Sequence, residues 1–158
     1  MTRFYDIDAA NAAVPELDGI VEVLAEQRAE LVRLRDEVLA AGSGAGDGAT
    51  TAVADRSSRP GAADPADETQ AADPPLVDDL RLTRLRMQGL IDQMAAGVAR
   101  IDGLGLTLRD IEHGLVDFPA LVAGRQVWLC WQRGEPAIGF WHDLETGFSG
   151  RRPLAELA

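Results

Sequence analysis

Apolar residues recur at heptad spacing along two long stretches of this chain. Leu17, Leu24, Leu31 and Val38 form one row, and Ile20 and Leu34 a companion row that Gln27 interrupts. Glu22, Glu26, Glu30, Arg33 and Asp36 flank these rows, as on a helix with one packed seam and a solvated surface. The pattern predicts a short strand or extended lead-in over residues 3–7, a first helical turn capped by Asp6 or Asp8, and a long helix with Pro15 in its first turn. Gly42 is the expected stop. Leu80, Met87, Met94 and Ile101, supported by Leu90, Ile91 and Val98, repeat the pattern and predict a second helix from Leu76 to Asp102. At 1.5 Å per residue both helices span roughly 40 Å. Matched lengths and matched seams call for an antiparallel hairpin.

After Gly103 and Gly105 the period changes. Leu106, Leu108 and Ile111 alternate with polar residues, VWLCW at 127–131 is apolar on both faces, and AIGFWH at 137–142 returns after the turn RGEP. GLVDFP and a turn at Gly124 precede that hairpin, and Gly139 suggests a bulge or a close backbone approach. The expected class is α+β: a long antiparallel helical hairpin packed with a small C-terminal antiparallel β-meander of three or four strands. One domain is expected, divided into an N-terminal strand and first helix (3–41), an insert (42–74), the second helix (75–103) and the meander (104–158). The insert, rich in Ala, Gly, Asp and Pro, has Val53 as its one large apolar residue. It cannot bury enough surface to offset the entropy of ordering, so disorder is predicted there.

Charge and composition narrow the classes of function. A net charge of −11 opposes binding to a phosphate backbone, so no nucleic-acid partner is expected. All 15 basic residues are Arg, which reflects the codon bias of a GC-rich bacterial genome rather than selection for bidentate chemistry. Cys130 is the single cysteine, which excludes an intrachain disulfide and suits a reducing compartment. The N-terminus has no apolar signal core and the chain has no stretch of about 18 apolar residues. The expectation is a cytoplasmic protein without a membrane partner.

All three Trp, three of the four Phe, the Cys and one of the two His fall between Gly114 and Leu154. Trp128, Trp131, Glu135, Phe140, Trp141 and Arg151 are the candidate binding residues, because a surplus of aromatic side chains beside a basic tail suits a partner or a ligand. Glu112, Asp117, His142 and Glu145 are the candidate metal ligands, a His/carboxylate set compatible with zinc, iron or manganese, so a divalent transition metal is the cofactor this set suggests. The spacing is not diagnostic, since neither HExxH nor CxxC occurs. Asp117 and Glu145 are the candidate catalytic carboxylates: Asp117, between Val116 and Phe118, is set for a raised pKa, and Glu145 or Glu135 would be its acid/base partner. The plainer reading makes Asp117 a turn cap before Pro119 and Arg151 its salt-bridge partner or that of Glu145. Cys130, in the most apolar strand, reads as a buried inert thiol.

FYDIDAANAAVPEL, the two helices and GLTLRDIEHGLVDFPALVAGRQVWLCWQRGEPAIGFWHDLETGFSGRRPL together resemble the bacterial domain-of-unknown-function family 2203 from Phe4 to Leu154. GLVDFP, LCW, GEP and WH with a following GF are the distinctive elements. The resemblance implies fold and kinship. It also implies that the insert departs from a short helix connection and that the position of His113 is not regularly His. Two functions follow as expectations. The first is a binding or scaffolding module that self-associates, as a homodimer or with a protein partner, through the aromatic-rich meander. The alternative is a metal-dependent hydrolase-like enzyme or metal sensor built on the His/carboxylate set.

Overall fold

In the computed structural model, residues 3–44 and 75–157 are described, and the expected disordered insert lies outside them from residue 45 onward. Helix α1 spans Ile7–Gly44. Asp6 caps it, its Oδ1 accepting the Ala9 N–H at 2.7 Å. Pro15 therefore falls inside the helix and not in its first turn. Asp6 is one of the two caps expected for a first helical turn; the Ala-rich stretch behind it makes that turn continuous with the long helix, and Pro15 costs the bond to the Asn11 carbonyl. The Asn11 side chain meanwhile accepts the Ile138 N–H at 2.7 Å, tying α1 to the loop before the last strands. Helix α2 spans Pro75–Gly103.

The two helices form the expected antiparallel pair, held by Arg100–Glu16 (2.8 Å), Gln27–Gln93 (3.1 Å) and Arg86–Glu30 (2.7 Å). They approach closely at Gly97, where a Cβ would lie 2.8 Å from Leu24 Cδ2. Leu17, Ile20, Leu24 and Ile101 are buried, whereas Leu31, Met87 and Met94 are only half-buried and Ile91 is exposed. Outside the main core the two helices enclose only part of their seam, Leu34 being buried, and Ile91 stands off the seam. None of the described helices is long and apolar enough to cross a membrane.

Five strands follow in the order β1-β2-β3-β4-β5, all antiparallel: Thr107–Asp110, Leu115–Val122, Arg125–Gln132, Phe140–His142 and Arg152–Pro153. The meander is thus one short strand larger than expected, because Arg152 and Pro153 pair with Trp141 and Phe140. Ala123 (φ 48°) and Gly124 (φ 77°) make the two-residue turn between β2 and β3, with positive φ at both positions as a type I′ hairpin turn requires. Pro119 is tolerated within β2 because β1 pairs only as far as Asp117; beyond it, the Pro119 carbonyl accepts the Tyr5 N–H of the lead-in at 2.8 Å. Tyr5 then stacks edge-on against Phe118 and donates its O–H to the Leu104 carbonyl at 2.6 Å. The core lies between this face of the sheet and the helices: Val116, Phe118, Val127, Leu129, Trp131 and Trp141 meet Val14, Leu17, Val21 and Leu24.

Candidate functional site

Alternation along a strand turns Asp117, Trp128, Cys130 and His142 to the opposite face from this core. In the register, Asp117 stands directly across from Cys130 and Trp128 across from His142, so the three polar groups occupy adjacent strands β2, β3 and β4. The outer face of an antiparallel sheet is ordinarily wet. Here Asp117, Cys130 and His142 are 2%, 1% and 1% exposed. They floor a cavity of about 220 Å³ whose other walls are Arg109, Leu115, Leu144, Glu145 and Phe148.

The small Cys130 side chain leaves room for the His142 imidazole to reach across β3 toward Asp117. His142 Nδ1 is 2.8 Å from the Asp143 carbonyl oxygen, which can only accept, so Nδ1 carries a proton and donates it. Nε2 lies 3.1 Å from Asp117 Oδ2 but without hydrogen-bond alignment, and it has no other partner among the described residues. With Nδ1 engaged as a donor, Nε2 is the ring nitrogen turned toward the Asp117 carboxylate, and the two atoms stand where one cation could bind both. Arg109 Nε donates to the same Asp117 Oδ2 at 2.7 Å, and its guanidinium lies over Trp128 at 5.1 Å. One donor atom each from Asp117, Cys130 and His142 lie within 4.8 Å of one another. Burial, and then the charge of Asp117, pushes the Cys130 thiol up to about 12 against the opposing pull of Arg151. A thiol so held is no nucleophile, whereas a bound metal deprotonates a coordinating thiol outright.

The model of the family described as "Uncharacterized conserved protein (DUF2203)" matches residues 3–154. The chain belongs to this family. No curated protein and no solved structure matches it. The family match covers both helices and the whole sheet, so the cavity lies within the region that this member shares with the family model.

Of the four expected ligands, Asp117 and His142 come together, Glu145 lines the cavity, and Glu112 does not take part. Glu112 is exposed in the β1–β2 turn and pairs with Arg28 at 2.9 Å. His113, in the same turn, pairs with Asp110 at 2.8 Å. Asp117 is not a turn cap, because β2 continues through it to Val122. Trp131 and Trp141 belong to the core and offer no surface; alternation sends them inward with Leu129. The indole N–H of Trp131 donates to the Glu135 carbonyl at 2.9 Å. Trp128 and Phe140 are half-buried, and Phe148 is exposed. Arg151 clamps Glu135 at 2.7 Å instead of Asp117 or Glu145, lies over Phe140 at 4.2 Å, and pins the segment that walls the cavity. Glu135 also accepts the Gln132 N–H at 2.8 Å, so this pair closes the β3–β4 turn.

The place of two residues of the cluster escaped sequence reasoning. Cys130 is the buried, unreactive thiol expected, but its position beside Asp117, available from the two-residue turn, was not read. Counting five residues back from Val122 and five on from Arg125 sets Asp117 opposite Cys130. Arg109 had no comparable signal, because a register shift between Leu108 and Asp110 decides its position.

Proposed function

We propose that the protein binds a divalent transition metal, zinc foremost, on Asp117, Cys130 and His142. The carrying observation is the buried cluster itself: oxygen, sulfur and nitrogen donors within 4.8 Å, with His142 Nε2 lacking a hydrogen-bond partner among the described residues. A mixed donor set of this kind suits zinc. Three protein ligands leave a fourth position toward the cavity, the open arrangement that catalytic sites keep and closed structural sites lack. This supports metal-dependent, hydrolase-like chemistry, with the metal as Lewis acid and Glu145 on the cavity wall as the carboxylate placed to move a proton. A cytoplasmic, reducing setting fits a thiol ligand. The acidic balance of the chain argues against a nucleic-acid substrate.

The test is elemental mass spectrometry on untagged protein purified without chelators, followed by zinc titration of chelator-treated protein. Stoichiometric zinc, lost in Cys130→Ala and His142→Ala variants that still fold, supports the reading. Wild-type protein that takes up no added zinc, iron, cobalt or manganese sinks it.

Self-association is a second reading, favoured by Leu39, Leu82 and Leu85, which are 61%, 64% and 63% exposed on the helical hairpin. Pairing of two hairpins would cover these side chains and the half-buried seam in a coiled-coil-like bundle. Light scattering across a concentration series tests it, and a concentration-independent monomer rules it out.

A further inference from the structure

The geometry points to a ligand class for this cavity: a small monocarboxylate with a short apolar tail, its carboxylate held by the Nη edge of Arg109 beside the metal. The inference rests on the metal reading above. Three observations carry it.

Arg109 spends only Nε on Asp117, and among the described residues nothing accepts from its Nη groups. Its side chain is 45% exposed at the cavity wall, with the guanidinium carbon 5.1 Å from the centre of the Trp128 ring. The planar pair of Nη donors matches a carboxylate.

The charge count disfavours a dianion. Asp117 and a coordinating Cys130 thiolate offset the two charges of a divalent ion, and His142 adds none. Arg109 and Glu145, both exposed on the wall, offset each other, so a monoanion is opposed less than a dianion such as hydrogen phosphate.

The remaining walls are apolar, formed by Leu115, Leu144 and Phe148. A volume of about 220 Å³ limits the ligand to a few heavy atoms. The two extra methylenes of butyrate over acetate, buried against these walls, should strengthen binding about tenfold.

The experiment uses full-length protein loaded with cobalt(II), whose visible spectrum reports on the coordination shell, titrated with butyrate, acetate and inorganic phosphate. The expected result is a saturable spectral change with butyrate, about tenfold weaker with acetate and absent with phosphate. Arg109→Lys keeps a cationic donor for Asp117 but removes the paired Nη groups. In the cobalt-loaded variant it should weaken butyrate at least tenfold. Phe148→Ala, at a half-exposed position, should erase the preference for butyrate over acetate, and it decides the matter should Arg109→Lys fail to fold. Cobalt uptake without any butyrate response overturns the ligand class and leaves the metal reading intact. An equal response to phosphate overturns the choice of a monocarboxylate. Failure to take up cobalt overturns both.

Discussion

Replacing Asp117 by Asn separates what this residue does for the fold from what it does for the metal. In the metal-free protein the carboxylate accepts one bond from Arg109 at 2.7 Å and faces His142 Nε2 at 3.1 Å without a shared hydrogen bond. Asn keeps the shape. Both contacts fall on Oδ2, so with its carbonyl oxygen there Asn still accepts from Arg109 and leaves Nε2 without a new donor. The charge-assisted bond becomes a neutral-acceptor bond, a loss of about 1 kcal/mol. Net stability should therefore fall by about 1 kcal/mol, small against the roughly 3–5 kcal/mol expected when a buried charge loses its partner. Metal affinity responds differently, because the amide is a neutral and weak ligand in place of an anionic one. A loss of at least about 100-fold is expected, equivalent to about 2.8 kcal/mol at 1.4 kcal/mol per tenfold. Urea denaturation in chelator measures the first quantity, and zinc competition against a chromophoric chelator the second. A variant that loses more than about 3 kcal/mol of stability in chelator, the scale of an orphaned buried charge, would mean that Asp117 is a structural residue. A variant with wild-type zinc affinity would remove it from the ligand set.

Gly114→Ala should destabilise the protein by roughly 2–5 kcal/mol, about 1–2 from a left-handed backbone and about 1–3 from overpacking. Gly114 has φ +64°, and its new Cβ would lie 2.5 Å from Arg133 Cβ and 2.8 Å from Val21 Cγ1. Urea midpoints within experimental scatter of wild type would refute this. Ala123→Asn relieves a non-glycine residue at φ 48° in the β2–β3 turn and should add about 0.5–1 kcal/mol, read as a raised melting temperature. In the Asp110–His113 pair, the side-chain hydrogen bond and then the charge of Asp110 raise His113 above 6.5, while the hydrogen bonds from His113 hold Asp110 below 3.8. The His113 contribution is complete below 6.5 and lost as pH rises through its raised folded value; that of Asp110 is complete above 3.8 and lost as pH falls through its lowered value. An NMR titration of His113 should show a midpoint above 6.5 that falls back in Asp110→Asn, and a wild-type midpoint at or below 6.5 would contradict the pairing.

The helices and most of the strands were legible because each is written in local periodicity. Rows seven apart from Leu17 and from Leu80 mark seams, and the alternation at Leu106, Leu108 and Ile111 and the apolar run VWLCW mark strands, since burial of one or both faces demands those patterns. The class of fold followed from the order of these periods along the chain. Helix ends were less legible: α1 begins at Ile7, ahead of Pro15, and runs on to Gly44, past Gly42, because a cap and a run of Ala outweigh single breaking residues.

The site divides in the same way. Asp117 and His142 stood out as polar residues inside apolar strands, which is a property of the sequence alone. That they share one face with Cys130 depends on strand register, and that the face is closed to water depends on Arg151, thirty-four residues beyond Asp117, pairing with Glu135 to pin the segment above. Trp131 and Trp141 looked like a surface and became a core, because only the packing of the helices decided which side of the sheet is inside. Sequence by itself determined the elements, through the period that burial imposes on each. Beyond the β2–β3 hairpin, whose turn sets its own register, tertiary structure decided which residues meet, because strand pairing and the covering of a sheet face join positions far apart in the chain.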